Sequence, residues 1–315
     1  MPEFPPIPFP PSKIHIVGNL ILVIGVDGEI CRFDKNNLEI FEDYANPFPS
    51  GITNSTICNN LFVGTWVENE LRQARMAAIS LENGFENGIS KSELRFSQND
   101  PTIDSSVSGS IWSHQLDAEP IGITSEADMI CFANFKRGIY CIDSNSAENW
   151  RIPELSWEPM KGYSNSEMIH SILLGPHPNN KDKNCIWVWS ISGKWVTLEW
   201  SNGSEITRGS IVTKGEVDLV VRGDDGWLIG LSSGEIIRCK SDGSDEENIH
   251  GGPCNDAINL NGVWHIAGWR EDILWSEGGV QRVGRSDLGV ARYAHPINGV
   301  IVLDNLGNWS PFASN

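Results

Sequence analysis

The segment of residues 230–234 contains the residue types most typical of a catalytic centre. It reads Gly-Leu-Ser-Ser-Gly and matches G-x-S-x-G, in which a serine at a sharp turn attacks a carbonyl group. That chemistry needs a strand before the serine and a helix after it, because the turn must expose the hydroxyl. Here the chain continues as Glu-Ile-Ile-Arg-Cys, which is typical of a strand. We therefore interpret Ser232 and Ser233 as hairpin-turn residues and predict no catalytic residue.

Patterns that would bind a metal or a cofactor are weak. The acidic loop of residues 242–247 could offer oxygen ligands to Ca²⁺, but it lacks the alternating carboxylates of a calcium loop. A zinc site would require the fold to gather histidines that are scattered along the chain. Neither glycine-rich phosphate-binding motif is present. The sequence therefore predicts no cofactor and no metal.

The charge of the chain limits its partners. The formal net charge is −18, which opposes binding to the phosphates of nucleic acid. It also opposes binding to anionic membrane surfaces, and no apolar run approaches the ~20 residues of a membrane span. The N-terminus lacks the basic and apolar regions of a secretion signal. We expect a cytoplasmic protein without membrane insertion. Its binding partner should be another protein, and the negative charge of the chain favours a basic one.

The seven cysteines do not suggest a disulfide framework. Their number is odd, their spacing is irregular and no C-x-x-C occurs. Cys131 and Cys141 are a special pair, because they lie five residues on either side of Lys136 in a predicted hairpin. Opposed residues of such a hairpin have Cα atoms ~4.5–5.5 Å apart, which is within disulfide reach. We favour buried free thiols and leave a bond between these two cysteines open.

The elements that position these residues are short strands. Apolar runs rich in Val, Ile and Trp alternate with Gly, Asn, Asp and Ser, which predicts an all-β fold. One unit recurs, a strand followed by a turn and a second strand, and residues 26–34 and 232–242 even share the phrase Gly-Glu-Ile-x-Arg. In the second copy of the unit we expect an insertion within the turn. The seven predicted hairpins are residues 19–34, 60–84, 128–143, 185–200, 227–239, 263–279 and 300–312.

Seven such units predict a seven-bladed β-propeller of four-stranded antiparallel blades. The 315 residues divided by seven give 45 per unit, and a four-stranded blade takes roughly 40–45. We expect one domain spanning residues 1–315, with insertions near 85–105 and 153–180. The predicted blades start near residues 19, 60, 128, 185, 227, 263 and 300.

The N-terminal segment is predicted to close the last blade. Only residues 313–315 follow the last hairpin, so that blade needs an outer strand from elsewhere. The proline-rich sequence PEFPPIPFPP is extended, and proline is tolerated on an edge strand because it donates no ladder hydrogen bond. We expect residues 3–11 along the outer edge of the final blade. A disordered tail is the alternative.

Residues 109–150 resemble the repeat of quinoprotein-like (PQQ-repeat-like) β-propellers. Trp112, Gly138, Asp143 and Trp150 occupy the places of the first Trp, the turn Gly, the strand-ending Asp and the second Trp. The resemblance implies the fold and little about activity, since related propellers include scaffolds, assembly factors and enzymes. The adjacent cysteines of quinone-using members are absent, and so are the Gly-His and Trp-Asp dipeptides of the WD40 class. The chain is therefore similar to WD40 propellers in architecture only.

Candidate contact residues follow from the propeller geometry. Turns between the second and third strands of all blades emerge on one face, and Trp and Arg are enriched at binding hot spots. The turn of residues 222–227, which also contains charges and an aromatic ring, is either a plain connection or a loop at the propeller mouth. The predicted contact residues are Trp66, Arg72, Lys136, Arg137, Asp224, Asp225, Trp227, Trp269 and Arg270.

Two main functions remain open at this point, beside a third option, an extracytoplasmic sugar- or peptide-binding module that an upstream signal peptide would support. The first is a non-catalytic protein-binding or scaffold propeller that acts in a multiprotein assembly. The alternative is a propeller-type hydrolase, lyase or lactonase with carboxylates or a metal at the axis, which would need paired acids with separated pKa values. The abundance of Asp and Glu is compatible with both functions.

Overall fold

The computed structural model describes residues 4–100, 102–157, 167–224, 226–244 and 246–312. Within these ranges the chain forms seven antiparallel sheets that follow one another along the sequence. The first sheet contains β1 (Pro11–Val17), β2 (Leu20–Gly25) and β3 (Ile30–Asp34). The second contains β4 (Ile52–Cys58), β5 (Leu61–Glu68), β6 (Gln73–Ser80) and β7 (Ser110–Leu116). The third contains β8 (Pro120–Glu126), β9 (Met129–Asn134), β10 (Gly138–Asp143) and β11 (Glu148–Ile152).

The other four sheets have the same strand order. The fourth contains β12 (Ile169–His177), β13 (Asn180–Ser190), β14 (Lys194–Leu198) and β15 (Glu205–Ser210). The fifth contains β16 (Val217–Arg222), β17 (Gly226–Leu231), β18 (Glu235–Lys240) and β19 (Glu247–His250). The sixth contains β20 (Asp256–Leu260), β21 (Val263–Gly268), β22 (Glu271–Ser276) and β23 (Gly279–Gly284). The seventh contains β24 (Gly289–His295), β25 (Gly299–Asp304) and β26 (Trp309–Pro311).

Burial explains why the sequence signals one hairpin per sheet. The two middle strands of a sheet are apolar on both faces, as in β17, where five of the six residues are buried. Strands covered on both faces read as continuous apolar runs. The outermost strand is largely exposed, as in β23, and therefore has no distinct sequence pattern. Each of the seven predicted hairpins is present and forms the second and third strands of a sheet.

The second hairpin differs from its prediction. Glu68 pairs directly with Gln73, so the turn of residues 69–72 contains no insertion. The tight turn closes because Arg72 adopts a left-handed conformation with φ 52°. The extra residues lie after β6, in a connection to β7 that includes α1 (Lys91–Phe96), a short helix with a capping box of Ser90 and Glu93. The other predicted insertion, near 153–180, includes residues 158–166, which are outside the described residues.

The N-terminal segment reaches the last sheet, as predicted, but its described residues add no fourth strand to the three of that sheet. The Ile7 N–H donates to the Gly307 carbonyl at 2.7 Å, and the Phe4 ring lies 5.4 Å from the His295 ring. Ile7 and Phe9 are both buried. Within the described part of the segment, the contact with Gly307 lies just after the end of β25. The contact with His295 lies near the start of that strand. Pro11 already begins β1, so it belongs to the first sheet.

The cysteines are buried and free. Cys131 and Cys141 are directly opposed in the ladder between β9 and β10, which is the predicted register. Burial raises the pKa of the Cys131 thiol well above its ordinary value, and the neighbouring Cys141 adds to the effect. In the structure, Cys131 and Cys141 are both free thiols and do not form a disulfide bond with each other.

The chain divides into two compact units. One contains residues 1–12, 156–199 and 204–315, and therefore sheets four to seven. The other contains residues 13–155 and 200–203, and therefore sheets one to three. A single domain over residues 1–315 remains a prediction. Across the described ranges, no helix has the length and apolar character needed to cross a membrane.

Candidate binding face

The unit with sheets four to seven presents four turns between second and third strands. These turns are residues 191–193, 232–234, 269–270 and 305–308. The linker of residues 211–216 joins the first two turns, because the Ile211 N–H donates to the Gly193 carbonyl at 3.0 Å and the Ser232 N–H donates to the Glu216 carbonyl at 2.8 Å. These backbone bonds fix the linker and the turns as one surface.

The same arrangement repeats in the next two blades. The Gly234 carbonyl accepts the N–H groups of Gly251 and Gly252 at 3.0 and 3.1 Å, and a Cβ at Gly252 would lie 3.3 Å from the Cβ of Trp269. The Arg270 carbonyl accepts from the Arg285 N–H at 2.7 Å. The linker of residues 285–288 also contacts the turn of residues 305–308, because the Asn305 N–H donates to the Leu288 carbonyl at 2.9 Å. We call this surface the Trp269 face, defined as residues 211–216, 232–234, 251–255, 269–270, 285–288 and 305–308.

Three large apolar side chains project from the Trp269 face into solvent. The exposed fractions are 77% for Val212, 57% for Trp269 and 64% for Leu306. Lys214 and Arg270 are exposed on the same surface. Single exposed apolar residues are common on proteins, but an indole of this exposure on a hydrogen-bonded turn is a favourable anchor for a partner.

A left-handed residue marks the turn in every hairpin. In the hairpin of β21 and β22 it is Arg270, with φ 54°. Gly is the usual choice for this conformation, because a Cβ there crowds the backbone. Three blades nevertheless have an exposed cationic residue at this position. The left-handed residues are Gly28, Arg72, Lys136, Gly193, Gly234, Arg270 and Gly307.

A buried ion pair supports the Trp269 face from below. The Arg285 guanidinium donates to the Asp272 carboxylate at 2.8 Å and to the Ser310 hydroxyl at 2.6 Å, and Asp272 is 1% exposed. Arg292 is buried, and among the described residues its three guanidinium nitrogens have no hydrogen-bond partner. Burial lowers the pKa of Arg292 to about 10, an effect that the nearby Asp256 opposes. These charges are structural, because they are enclosed by the fold.

Two of the predicted contact residues are core residues. Trp66 is fully buried and packs against Phe48, with ring centroids 5.1 Å apart. Trp227 is also fully buried, with its ring centroid 4.8 Å from that of Trp187. Both belong to the apolar middle strands of their sheets, where indoles fill the layer between blades. Their prediction as surface residues is therefore corrected.

The other predicted residues that the structure describes are exposed, and Trp269 and Arg270 lie on the Trp269 face. Asp224 lies in the turn between β16 and β17, at the opposite end of β17 from residues 232–234, so it is not on the Trp269 face. Asp225 is outside the described residues. In the other unit, Arg72, Lys136 and Arg137 are exposed at the corresponding turns.

Sequence reasoning missed the contribution of the linkers. Val212 and Lys214 lie between β15 and β16, in a segment that was not considered a turn of the face. The available signal was the apolar pair Ile211-Val212 within an otherwise polar segment between two strands. Among the described residues, no group of three or more His, Cys, Asp or Glu side chains is arranged to bind a metal ion.

The seven antiparallel sheets define a β-propeller with seven blades, which confirms the predicted fold class. The solved structures that the chain resembles in fold include the WD40 propeller domain of Doa1 and the propeller BamB. No protein-family model matches the sequence, and no curated protein matches it.

The similar structures share the fold at very low sequence identity. The β-propeller domain of Myceliophteria thermophila Cps50 (Swd1) aligns with a TM-score of 0.66 and 10% identity, over 98% of this chain and 97% of that one. The WD40 propeller domain of Doa1 aligns with a TM-score of 0.62 and 10% identity, over 96% and 94%. BamB from Moraxella catarrhalis aligns with a TM-score of 0.57 and 8% identity, over 95% and 82%. Identities of this size establish the fold alone.

Proposed function

We propose that this chain is a non-catalytic propeller that binds a protein partner through the Trp269 face and acts as a scaffold in a multiprotein assembly. The observation that carries the proposal is the exposed indole of Trp269, held on a hydrogen-bonded turn. A rigid aromatic side chain loses little conformational entropy on binding and buries a large area. The Trp269 face therefore has the properties of an anchor surface.

The surroundings of Trp269 support the same function. Val212 and Leu306 extend the apolar area, while Lys214 and Arg270 supply charge at its rim. An apolar centre with a polar rim is the usual anatomy of a protein interface. The backbone bonds between linkers and turns reduce the ordering cost of binding, because the surface is already fixed.

The net charge bears on the nature of the partner. A chain of −18 attracts positively charged proteins at long range, so we propose a basic partner. We also propose a cytoplasmic location. Thiols remain reduced in the cytoplasm, which agrees with the seven free cysteines.

The proposal is tested by affinity capture from the source cells with the full chain and with Trp269→Ser. We expect the unchanged chain to capture a specific protein at low salt and less of it at high salt. Trp269→Ser should lose that protein, because the substitution removes the indole anchor.

The matched control is Ile297→Ser. Ile297 is 82% exposed in the turn between β24 and β25, at the opposite end of β25 from the turn of residues 305–308. This control should keep the captured protein. Equal capture by the unchanged chain and Trp269→Ser, or equal loss in both variants, would contradict the proposed role of the Trp269 face.

A further inference from the structure

A cavity of about 430 Å³ opens beside the fourth sheet. Its size is within the range of ligand pockets, roughly 300–1,000 Å³. Two indoles, of Trp187 and Trp195, and two proline rings, of Pro176 and Pro178, form its apolar wall. The rim comes from the end of β15 and from the turn after β18. No residue of the Trp269 face lines this cavity, so it is a separate site.

Trp195 lines this cavity and has an indole N–H that is an unused donor among the described residues. Trp195 is 5% exposed, and its Nε1 has no hydrogen-bond partner in the part of the chain that the structure describes. The neighbouring Trp187 differs, because its Nε1 donates to the Pro176 carbonyl at 3.0 Å. A buried donor without an acceptor costs free energy. A ligand that supplies an acceptor to Trp195 would remove that cost.

The Arg and His side chains at the cavity are already paired with carboxylates of the chain. Arg208 forms an ion pair with Glu205, and His177 Nε2 lies 3.1 Å from a carboxylate oxygen of Glu199. The Asp242 carboxylate accepts the Ser244 N–H at 2.9 Å, and hydrogen bonds from Ser244 lower its pKa. Asp242 therefore keeps its charge at the exposed rim, whereas the paired Arg208 and His177 leave the apolar wall suited to a neutral group.

We propose that this cavity binds a proline residue of a partner peptide in the polyproline II conformation. Proline offers an apolar ring to the indole and proline wall and has no N–H to satisfy. Its peptide carbonyls make no internal hydrogen bonds in polyproline II, so one is free to accept from Trp195 Nε1. Proline-rich segments dock in aromatic-lined grooves for these reasons. A sugar ring fits less well, because its several hydroxyl donors each need an acceptor.

The chain's own proline-rich segment is not the occupant. Ile7 and Phe9 are buried, and the Ile7 N–H is bonded to Gly307 in the last sheet. The ligand is therefore a segment of another protein, and its binding does not depend on the Trp269 face.

The test measures the binding of a synthetic decaproline peptide to the full chain. Calorimetry gives the affinity, and the indole ¹H–¹⁵N resonances show which Trp side chain is affected. We expect saturable binding that shifts one indole resonance, and that resonance should be absent in Trp195→Phe. Trp195→Phe keeps an aromatic ring but loses the donor, so its affinity should be about tenfold weaker, the effect of one hydrogen bond. The matched control is Trp275→Phe, a buried indole on the third strand of the sixth sheet, which should bind like the unchanged chain.

A second variant keeps the core intact. Ser210 lines the rim on the exposed side of β15, and Ser210→Phe should fill the cavity and abolish binding. The proposal is overturned if decaproline does not bind saturably, if Trp275→Phe weakens binding as much as Trp195→Phe, or if Ser210→Phe binds normally. Saturable binding of maltohexaose with no binding of decaproline would also overturn it, in favour of a sugar site.

Discussion

Replacing Arg270 by glycine should stabilise the protein while it removes a charge from the Trp269 face. Arg270 has φ 54°, a left-handed conformation that costs an L-residue roughly 1–2 kcal/mol. Glycine relieves that cost but loses roughly 0.5–1 kcal/mol through the greater freedom of the unfolded chain. The backbone bond from the Arg285 N–H to the Arg270 carbonyl does not depend on the side chain. From the midpoints of these two ranges, we expect the free energy of unfolding to rise by about 0.75 kcal/mol.

The assay is urea unfolding followed by tryptophan fluorescence, with Arg137→Gly as the matched control. Arg137 is exposed in a corresponding hairpin but has no positive φ, so its replacement should lower stability. A rise for Arg270→Gly together with a fall for Arg137→Gly supports the reasoning. An unchanged or lower stability for Arg270→Gly would refute the idea that the left-handed conformation is costly there. A variant that is more stable yet captures less partner would separate binding from folding.

Three other substitutions test the packing and the charges. Asp272→Ala should lower the free energy of unfolding by about 3 kcal/mol in the same assay, because it leaves the Arg285 guanidinium partly buried and unpaired; a loss below ~1 kcal/mol would contradict this. Burial lowers the pKa of His15 well below its ordinary 6.5, so the unfolded chain binds a proton that the folded chain does not, and stability should fall as the pH drops below 6.5. His15→Gln should show a smaller fall between pH 7 and pH 5 in thermal unfolding, and an unchanged pH dependence would contradict the assignment. Gly209→Ala should lower stability by about 1–3 kcal/mol, because a Cβ there overlaps the Trp195 ring, and a normal melting temperature would count against this packing.

The middle strands of the blades could be predicted from the sequence because burial on both faces leaves a continuous apolar run. The hairpin of β17 and β18 is an example, with Gly234 at its left-handed turn position. The outer strands could not be predicted in the same way. The exposed β23 has the sequence Gly-Val-Gln-Arg-Val-Gly, which carries no clear alternation between buried and exposed residues.

The candidate site was predictable only in part, because exposure depends on packing between blades. Trp269 and Trp66 both lie near turns in the sequence, yet the first is 57% exposed and the second is fully buried. The position of Trp66 on β5 opposite Phe48 decides its burial, and that contact spans 18 residues of sequence. Val212 joins the face through linker hydrogen bonds that no sequence motif records.

Main-chain bonds join the turns and linkers of the Trp269 face, in addition to side-chain bonds such as that of the Ser232 hydroxyl, which accepts the Glu216 N–H at 3.2 Å. The Gly193, Glu216, Gly234, Arg270 and Leu288 carbonyls keep their partners whatever side chains the face presents. The surface can therefore be diversified residue by residue at Val212, Lys214, Ser233, Trp269 and Leu306 with little effect on folding. In this respect the blade turns and linkers resemble a display platform, from which a library of new binding specificities could be selected.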